Sequence, residues 1–270
     1  MPVTQFSEEL IARSGYARSG FADRYDQFRP RPPRPLLELL CRYASVGRPG
    51  LVVDFGCGTG LSTHAWSGLA ERAIGVEPNP AMLAAAEAAP DVEYREAYAQ
   101  ETGLADGCAD IVTCSQSFHW MEAPPTLQEA ARILRPGGIF AAYDYDFPPA
   151  VEPELDEAFE AYKSRRREVR ARRGIQQGAD RWPKHEHLER IRASGRFRFC
   201  REVVLHSLEE GDAERVVGFA RSLGLPVADV EDAELERELG VGALEAVARR
   251  VLGTRTVPFL IGYRVRVGVL

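Results

Sequence analysis

Residues 51–60 read LVVDFGCGTG. An apolar run ends at Asp54, and Gly56, Gly58 and Gly60 follow at two-residue spacing. The run has the character of a buried strand. Glycines placed directly after it permit a tight turn and a close approach of backbone to a neighbour or ligand. An ordinary strand-to-helix turn asks for no more than this, so the surroundings decide its meaning.

Outward from the turn the chain alternates. "LSTHAWSGLAER" reads as a helix and "RAIGVEP" as a second strand. "NPAMLAAAEAA" predicts a strong helix with Pro80 in its first turn. "VEYREAYA" and "ADIVTCSQS" read as the third and fourth strands. "PPTLQEAARILRPGG" reads as a helix stopped by proline and glycine, and "IFAAYDYDF" as a fifth strand. Strands alternating with helices over about 100 residues predict a parallel sheet covered on both faces.

Residues 1–35 form an arm with prolines at 30, 32, 33 and 35, which favour extended backbone. A helix is expected from Pro35 or Leu36. The alternation breaks after the fifth strand, and residues 148–197, charged and helical in pattern, read as an inserted cap. "FRFCREVVLHSL" returns to strand character, helix-like segments follow near 211–223 and 231–251, and "VPFLIGYRVRVGVL" closes with a strand. The expected division is an arm at 1–35, a ligand-binding core at 36–147, a helical cap at 148–197 and a completion of the core at 198–270.

The bulk numbers narrow the partners. With 270 residues, 45% hydrophobic and 27% charged, the chain has the composition of a globular protein. A formal net charge of −6 does not favour wholesale binding to nucleic acid or an anionic membrane. Five cysteines without a CxxC pair argue against a disulfide scaffold or thiolate metal site. The opening residues lack an apolar signal core, which makes the cytoplasm the expected location. Oligomeric state is not legible.

An open parallel sheet binds ligands beyond the carboxyl ends of its strands. A GxGxxG dinucleotide turn would need glycine where Leu61 stands, and no GKS or GKT follows as in a P-loop. Asp54 would repel a phosphate and attract an ammonium group. Glu77 ends the second strand, where an acid accepts hydrogen bonds from ribose hydroxyls. Two acids and a glycine turn suit a nucleoside that carries positive charge and no phosphate. S-adenosylmethionine has that chemistry.

The segments "VVDFGCGTG", "GVEPNPAML", "AYAQETGLADGCADIVTCSQSFHW" and "EAARILRPGGIFAAYDYD", in this order and spacing, resemble class I S-adenosylmethionine-dependent methyltransferases. Within that class they are similar to the UbiE/COQ5-like and trans-aconitate-methyltransferase-like small-molecule enzymes. The resemblance implies a Rossmann-like, mostly parallel seven-stranded sheet with an antiparallel last strand. It also implies donor contacts from Asp54, Gly56, Gly58, Gly60, Glu77, Asn79, Met82, Ala99, Gln100 and Ser115. An N-terminal arm of this kind closes over the donor, with Tyr25 shielding the sulfonium and Arg29 pairing with its carboxylate. Tyr16, Phe118, Trp120, Tyr143, Tyr145 and Trp182 become acceptor-pocket candidates.

His119 is a candidate general base, since an imidazole titrates near neutrality. It could equally satisfy a backbone carbonyl. His185 and His187, two residues apart, share no helical face and make weak metal ligands, and no metal is expected. "SRRREVRARR" reads as a solvated basic face or as a site for an anionic acceptor. The expected reaction is methyl transfer to oxygen, nitrogen or carbon of a small molecule. RNA or protein modification, and a cofactor-binding regulator without activity, stay open beside it.

Overall fold

The computed structural model describes residues 27–174, 182–223 and 232–270. Close contacts gather the chain into two units. One takes Pro30–Tyr145, Asp180–Leu205 and Tyr263–Leu270; the other takes Met1–Arg29, Asp146–Ala179 and His206–Gly262.

The seven-stranded sheet has the order β3-β2-β1-β4-β5-β7-β6. Its strands are β1 (Leu51–Phe55), β2 (Arg72–Glu77), β3 (Val92–Glu96), β4 (Ala109–Ser115), β5 (Leu134–Tyr145), β6 (Phe199–Gly211) and β7 (Val257–Val269). β1 pairs in parallel with β2 and β4, β2 with β3, and β4 with β5. β7 runs antiparallel to β5, as the resemblance implied. The chain reverses direction in strand order on either side of β1, so β1 and β4 flank the crevice where an open sheet takes its ligand.

The central strands hold valine, isoleucine and phenylalanine on both faces. Val53, Phe55, Ile74, Val76, Val112 and Phe140 are fully buried. Each such side chain contributes roughly 1.5–3 kcal/mol relative to exposure. Helix α1 (Arg34–Tyr43) starts where Pro35 meets its first turn and buries Leu36, Leu37 and Leu40.

Two expected helices are short. α2 is only Leu61–His64, and α3 only Pro80–Leu83. The alanine run after Met82 has high helix propensity, yet the chain turns away to form a bridge between Ala89 and Val92. Tertiary placement overrides propensity there. α4 (Ala123–Ile133) passes directly into β5, and the expected "RPGG" stop lies inside that strand. The β4–β5 register shifts between Ala109 and Ile111, which absorbs the turn-forming residues as a bulge. Arg135 pins it by hydrogen bonds to Asp110, at 2.5 Å, and to the Ala44 carbonyl.

In the helix-rich unit, α5 (Pro153–Arg172) buries Leu155, Phe159, Tyr162 and Val169. Helices α7 (Ala213–Arg221), α8 (Asp232–Leu239) and α9 (Val241–Leu252) belong to the same unit, whereas α6 (His187–Ala193) belongs to the sheet unit. Phe147 stacks on Phe219 at 4.6 Å and meets Phe159 edge-on at 5.2 Å. The arginine run is engaged inside this unit. Arg165 donates to the Glu238 carbonyl and Arg166 to the Leu223 carbonyl, each at 2.8 Å. Arg173 pairs with Glu238 and Glu234. Cations that satisfy carbonyls at helix ends do a cap's work. All five cysteines are free. Among the described residues no helix is long and apolar enough to cross a membrane.

Candidate active site

The glycine turn is anchored from beneath by Asp54. This carboxylate is 1% exposed, and three hydroxyls donate to it. Ser62 and Thr63 reach Oδ2 at 2.5 and 2.9 Å, and Thr113 reaches Oδ1 at 2.7 Å. Burial pushes the Asp54 carboxyl above its ordinary range, while the hydroxyls pull the other way. Both oxygens therefore bind the protein itself, tying the end of β1 to the start of α2 and to β4. The hydroxyl partners were absent from the sequence expectation. Their signal was available in "LST" just beyond the turn and in Thr113, which lies beside Asp54 in the sheet register.

Glu77 faces the crevice differently. Its Oε2 accepts from the Gly58 N–H at 3.1 Å and its Oε1 from the Asn79 N–H at 3.0 Å. Burial raises its carboxyl, and these two backbone donors oppose the shift. Each oxygen has capacity for a further hydrogen bond. Asn79 caps α3 by accepting from the Ala81 N–H at 3.0 Å, which orients Met82 next to the turn. A Cβ built on Gly58 would stand 3.3 Å from the Met82 methyl.

Gly60 has φ +85°, and a Cβ there would lie 2.3 Å from the Tyr94 hydroxyl. A left-handed backbone and a ring packed on its face leave only glycine room. Gly60→Ala is expected to destabilise the sheet unit by about 2 kcal/mol or more, from backbone strain plus displacement of Tyr94. Urea unfolding followed by tryptophan fluorescence measures it, since Trp66, Trp120 and Trp182 all lie in the sheet unit.

Other expected donor contacts line the same strand ends. Ala99 is buried and Gln100 half-buried in the loop beyond β3. That loop is pinned by Glu129, which accepts from the Thr102 N–H at 2.9 Å and from its hydroxyl at 2.6 Å. Arg132 holds Glu129 in turn. Sequence reasoning missed this clamp, whose partners lie 27 residues apart. Ser115 is half-buried at the carboxyl end of β4. Gln116 follows with φ +53°, a rare conformation for a residue other than glycine. Its N–H donates to the Tyr143 carbonyl at 3.0 Å, and its side-chain carbonyl accepts from Lys184. Ser117 donates to the Phe55 carbonyl at 2.7 Å.

The acceptor-side candidates separate by burial. Phe118 is 2% exposed and packs against Phe140 and His187. Tyr143 is likewise 2% exposed, and burial raises its phenol well above the ordinary value. Trp120 is half-buried, its ring 5.5 Å from His119. Tyr145 is half-buried at the end of β5, edge-on to Tyr263. Trp182 donates from its indole to the Met121 carbonyl at 2.8 Å and carries Arg190 over its ring at 4.2 Å. Arg29, in the helix-rich unit, donates to the Ser222 carbonyl at 2.9 Å and lies over Phe219. Tyr16 and Tyr25 lie outside the described residues.

His119 is buried in the 3-10 turn Phe118–Trp120. Its Nδ1 stands 3.9 Å from Oδ1 of buried Asp144, and its carbonyl accepts from the Trp182 N–H at 3.1 Å. Asp144 Oδ2 lies 3.8 Å from His187 Nε2. His119, Asp144 and His187 thus have a metal site's composition, with ligand atoms within 4.8 Å of one another. The carboxylate, however, already carries two cations. Lys184 Nζ reaches Oδ1 at 2.9 Å, and Arg266 Nη1 reaches Oδ2 at 2.9 Å. A divalent ion would face both across a buried site, which opposes metal binding. In sequence His187 neighbours His185; the fold sets it beside His119, ring centroids 6.3 Å apart.

Residues 53–142 match the family model described as a methyltransferase domain. A candidate methyltransferase of Dictyostelium discoideum is 31% identical over 121 residues, 45% of this chain and 46% of that one. The malonyl-acyl-carrier-protein O-methyltransferase of Pectobacterium atrosepticum is 27% identical over 165 residues, 60% of this chain and 62% of its own. A solved structure from Anaeromyxobacter dehalogenans, described as a candidate type II methyltransferase, is 26% identical with a TM-score of 0.65. It covers 90% of this chain and 98% of that one. The matched stretch spans about half the length of the first curated relatives, 46% and 53%. Residues 53–142 thus carry the likeness of a methyltransferase domain, on a seven-stranded sheet of Rossmann-like order.

Proposed function

We propose that this protein transfers a methyl group from S-adenosylmethionine to a small-molecule acceptor, leaving S-adenosylhomocysteine. The observation that carries the reading is Glu77. It is a half-buried carboxylate at the carboxyl end of β2, steadied by two backbone N–H groups, with acceptor capacity left for two ribose hydroxyls. The turn at 56–60 would receive the methionine end, and Met82, Ala99 and Gln100 would flank the adenine. The donor supplies a methyl group already activated on a sulfonium. The protein's own task is alignment and exclusion of water, and well-oriented reactants recover roughly 7–11 kcal/mol in model systems.

The internal pairing of the α5 arginines supports a small acceptor over a nucleic acid, because several cations of the run already have protein partners. The finer reading is an enzyme of the UbiE/COQ5-like or trans-aconitate-methyltransferase-like kind, with oxygen, nitrogen or carbon as methyl acceptor.

Calorimetry with S-adenosylmethionine, S-adenosylhomocysteine and NADH tests the donor. Binding of the first two, with none of NADH, is expected; binding of NADH alone would overturn the class. Glu77→Ala is expected to weaken donor binding about 100-fold or more, the loss of two charge-assisted hydrogen bonds, with a smaller fall in unfolding midpoint from the Gly58 and Asn79 N–H groups it releases. Because burial raises the Glu77 carboxyl, wild-type affinity should begin to fall on acidification above the pH of an ordinary glutamate. Glu77→Gln should flatten that dependence. Incubation with methyl-labelled donor and cell extract, read by mass spectrometry, identifies the acceptor.

A further inference from the structure

Among the described residues, two that are not glycine take a positive φ, Ser45 at 56° and Gln116 at 53°. Such a backbone crowds Cβ against the following carbonyl, a cost that glycine does not meet. Ser45 has a local reason. It follows the C-cap of α1, where its N–H donates to the Arg42 carbonyl at 3.1 Å and the Val46 N–H to the Cys41 carbonyl at 3.0 Å, a pair of bonds that closes many helices. Gln116 ends no helix. It follows β4 directly, and a strained residue persists only where its surroundings hold it. Here its N–H donates to the Tyr143 carbonyl at 3.0 Å, Lys184 donates to its Oε1, and its Nε2 reaches the Tyr145 carbonyl at 3.4 Å. The next residues then lie against the end of β1. Ser117 Oγ donates to the Phe55 carbonyl at 2.7 Å, and a Cβ built on Gly56 would stand 2.8 Å from Ser117 Cβ and 2.7 Å from the Met121 methyl. The first glycine of the turn therefore makes room for the protein's own segment after β4.

We propose that Gln116 is a positioning residue that locks the segment 117–121 onto the glycine turn and so fixes the gap between the ends of β1 and β4. It acts through Ser117 and Met121, the two residues that meet Gly56. Lys184 also pairs with Asp144 at 2.9 Å, which ties the lock to β5. In the methyl-transfer reading, on which the effect on the donor rests, that gap receives the methionine end. Gly56 has φ +66°, and glycine left to itself samples a wide range of backbone. Held under Ser117 and Met121, the turn is ordered before the donor arrives, and less freedom is lost on binding.

Amide hydrogen exchange of the full-length protein, followed residue by residue by NMR, tests the lock without any donor. The Trp120 and Met121 N–H groups report on it, bonded to the Ser117 and Phe118 carbonyls at 2.9 and 3.2 Å. In Gln116→Gly, which frees the backbone and removes the side-chain hold, both are expected to exchange about 10-fold faster or more. Gln116→Ala, which keeps the Cβ and loses the hold, should do the same. Val53, in the middle of β1, should keep its wild-type rate in both variants, which separates a loosened segment from a loosened fold. Ser45→Gly grants the same backbone freedom at the end of α1 and should leave all three amides unchanged. In calorimetry with S-adenosylhomocysteine, Kd should rise about 10-fold in both Gln116 variants and stay at the wild-type value in Ser45→Gly. Wild-type exchange of Trp120 and Met121 in both Gln116 variants would overturn the lock. Faster exchange with an unchanged Kd would overturn its bearing on the donor. A wild-type protein that binds no S-adenosylhomocysteine would sink the methyl-transfer reading instead, and the exchange rates would still decide the lock.

Discussion

Asp54→Ala is expected to cost the sheet unit about 4 kcal/mol, more than any other single change to the glycine turn. Three hydroxyls, from Ser62, Thr63 and Thr113, lose their common acceptor in a site that water does not reach. Hydrogen bonds to a charged group contribute roughly 1.5–3 kcal/mol each. Relief of the burial that raises the Asp54 carboxyl offsets part of this loss. The sum is a stability effect first and a binding effect second. Urea unfolding should show a large fall in midpoint, and donor affinity should fall because the turn loosens. Glu77→Ala should show the opposite weighting, with affinity lost most and the midpoint lowered less, by release of two backbone N–H groups. An Asp54→Ala protein that unfolds at the wild-type midpoint while losing donor affinity would make Asp54 a direct ligand and not an anchor. Asp54→Asn, which keeps one acceptor oxygen, should fall between wild type and alanine.

That contrast marks how far the sequence could be read. The strands were legible because each central one is a short apolar run closed by a turn residue. The acid at the end of β1 and the acid at the end of β2 were legible as a pair. Their division of labour was not, since it depends on which hydroxyls the sheet register brings under Asp54. The short α2 and α3 escaped because alanine and leucine favour helix locally, while the approach to β3 asks for a turn. The same limit hid the clamp of Glu129 on Thr102 and the grouping of Asp144 with Lys184 and Arg266. Long-range ion pairs leave no periodicity in a chain. His187 illustrates the point: beside His185 it reads as a weak ligand pair, and only the fold reveals that it stands against Asp144.

His187 also predicts the acid behaviour of the sheet unit. Its side chain is fully buried against Phe118, and burial lowers its pKa to about 4, with Asp144 opposing the shift and Arg266, Lys184 and Arg190 adding to it. An unfolded histidine titrates near 6.5. Between those values the unfolded chain binds a proton that the folded chain refuses. Stability attributable to this residue is therefore intact above about pH 6.5 and is lost as pH falls toward 4. A difference of about 2.5 units corresponds to about 3 kcal/mol. His187→Phe keeps the ring contact with Phe118 and removes the titration. Urea unfolding read by tryptophan fluorescence at pH 7 and at pH 4 should show the variant losing about 3 kcal/mol less than the wild type on acidification. Other acids of the unit, including Asp54, Glu77, Asp110 and Glu129, are common to both proteins and cancel in the comparison. Equal losses in the two would mean that the imidazole is already protonated, or solvated, in the folded state. The neutral His187 beside the Asp144 carboxylate would then have to be given up.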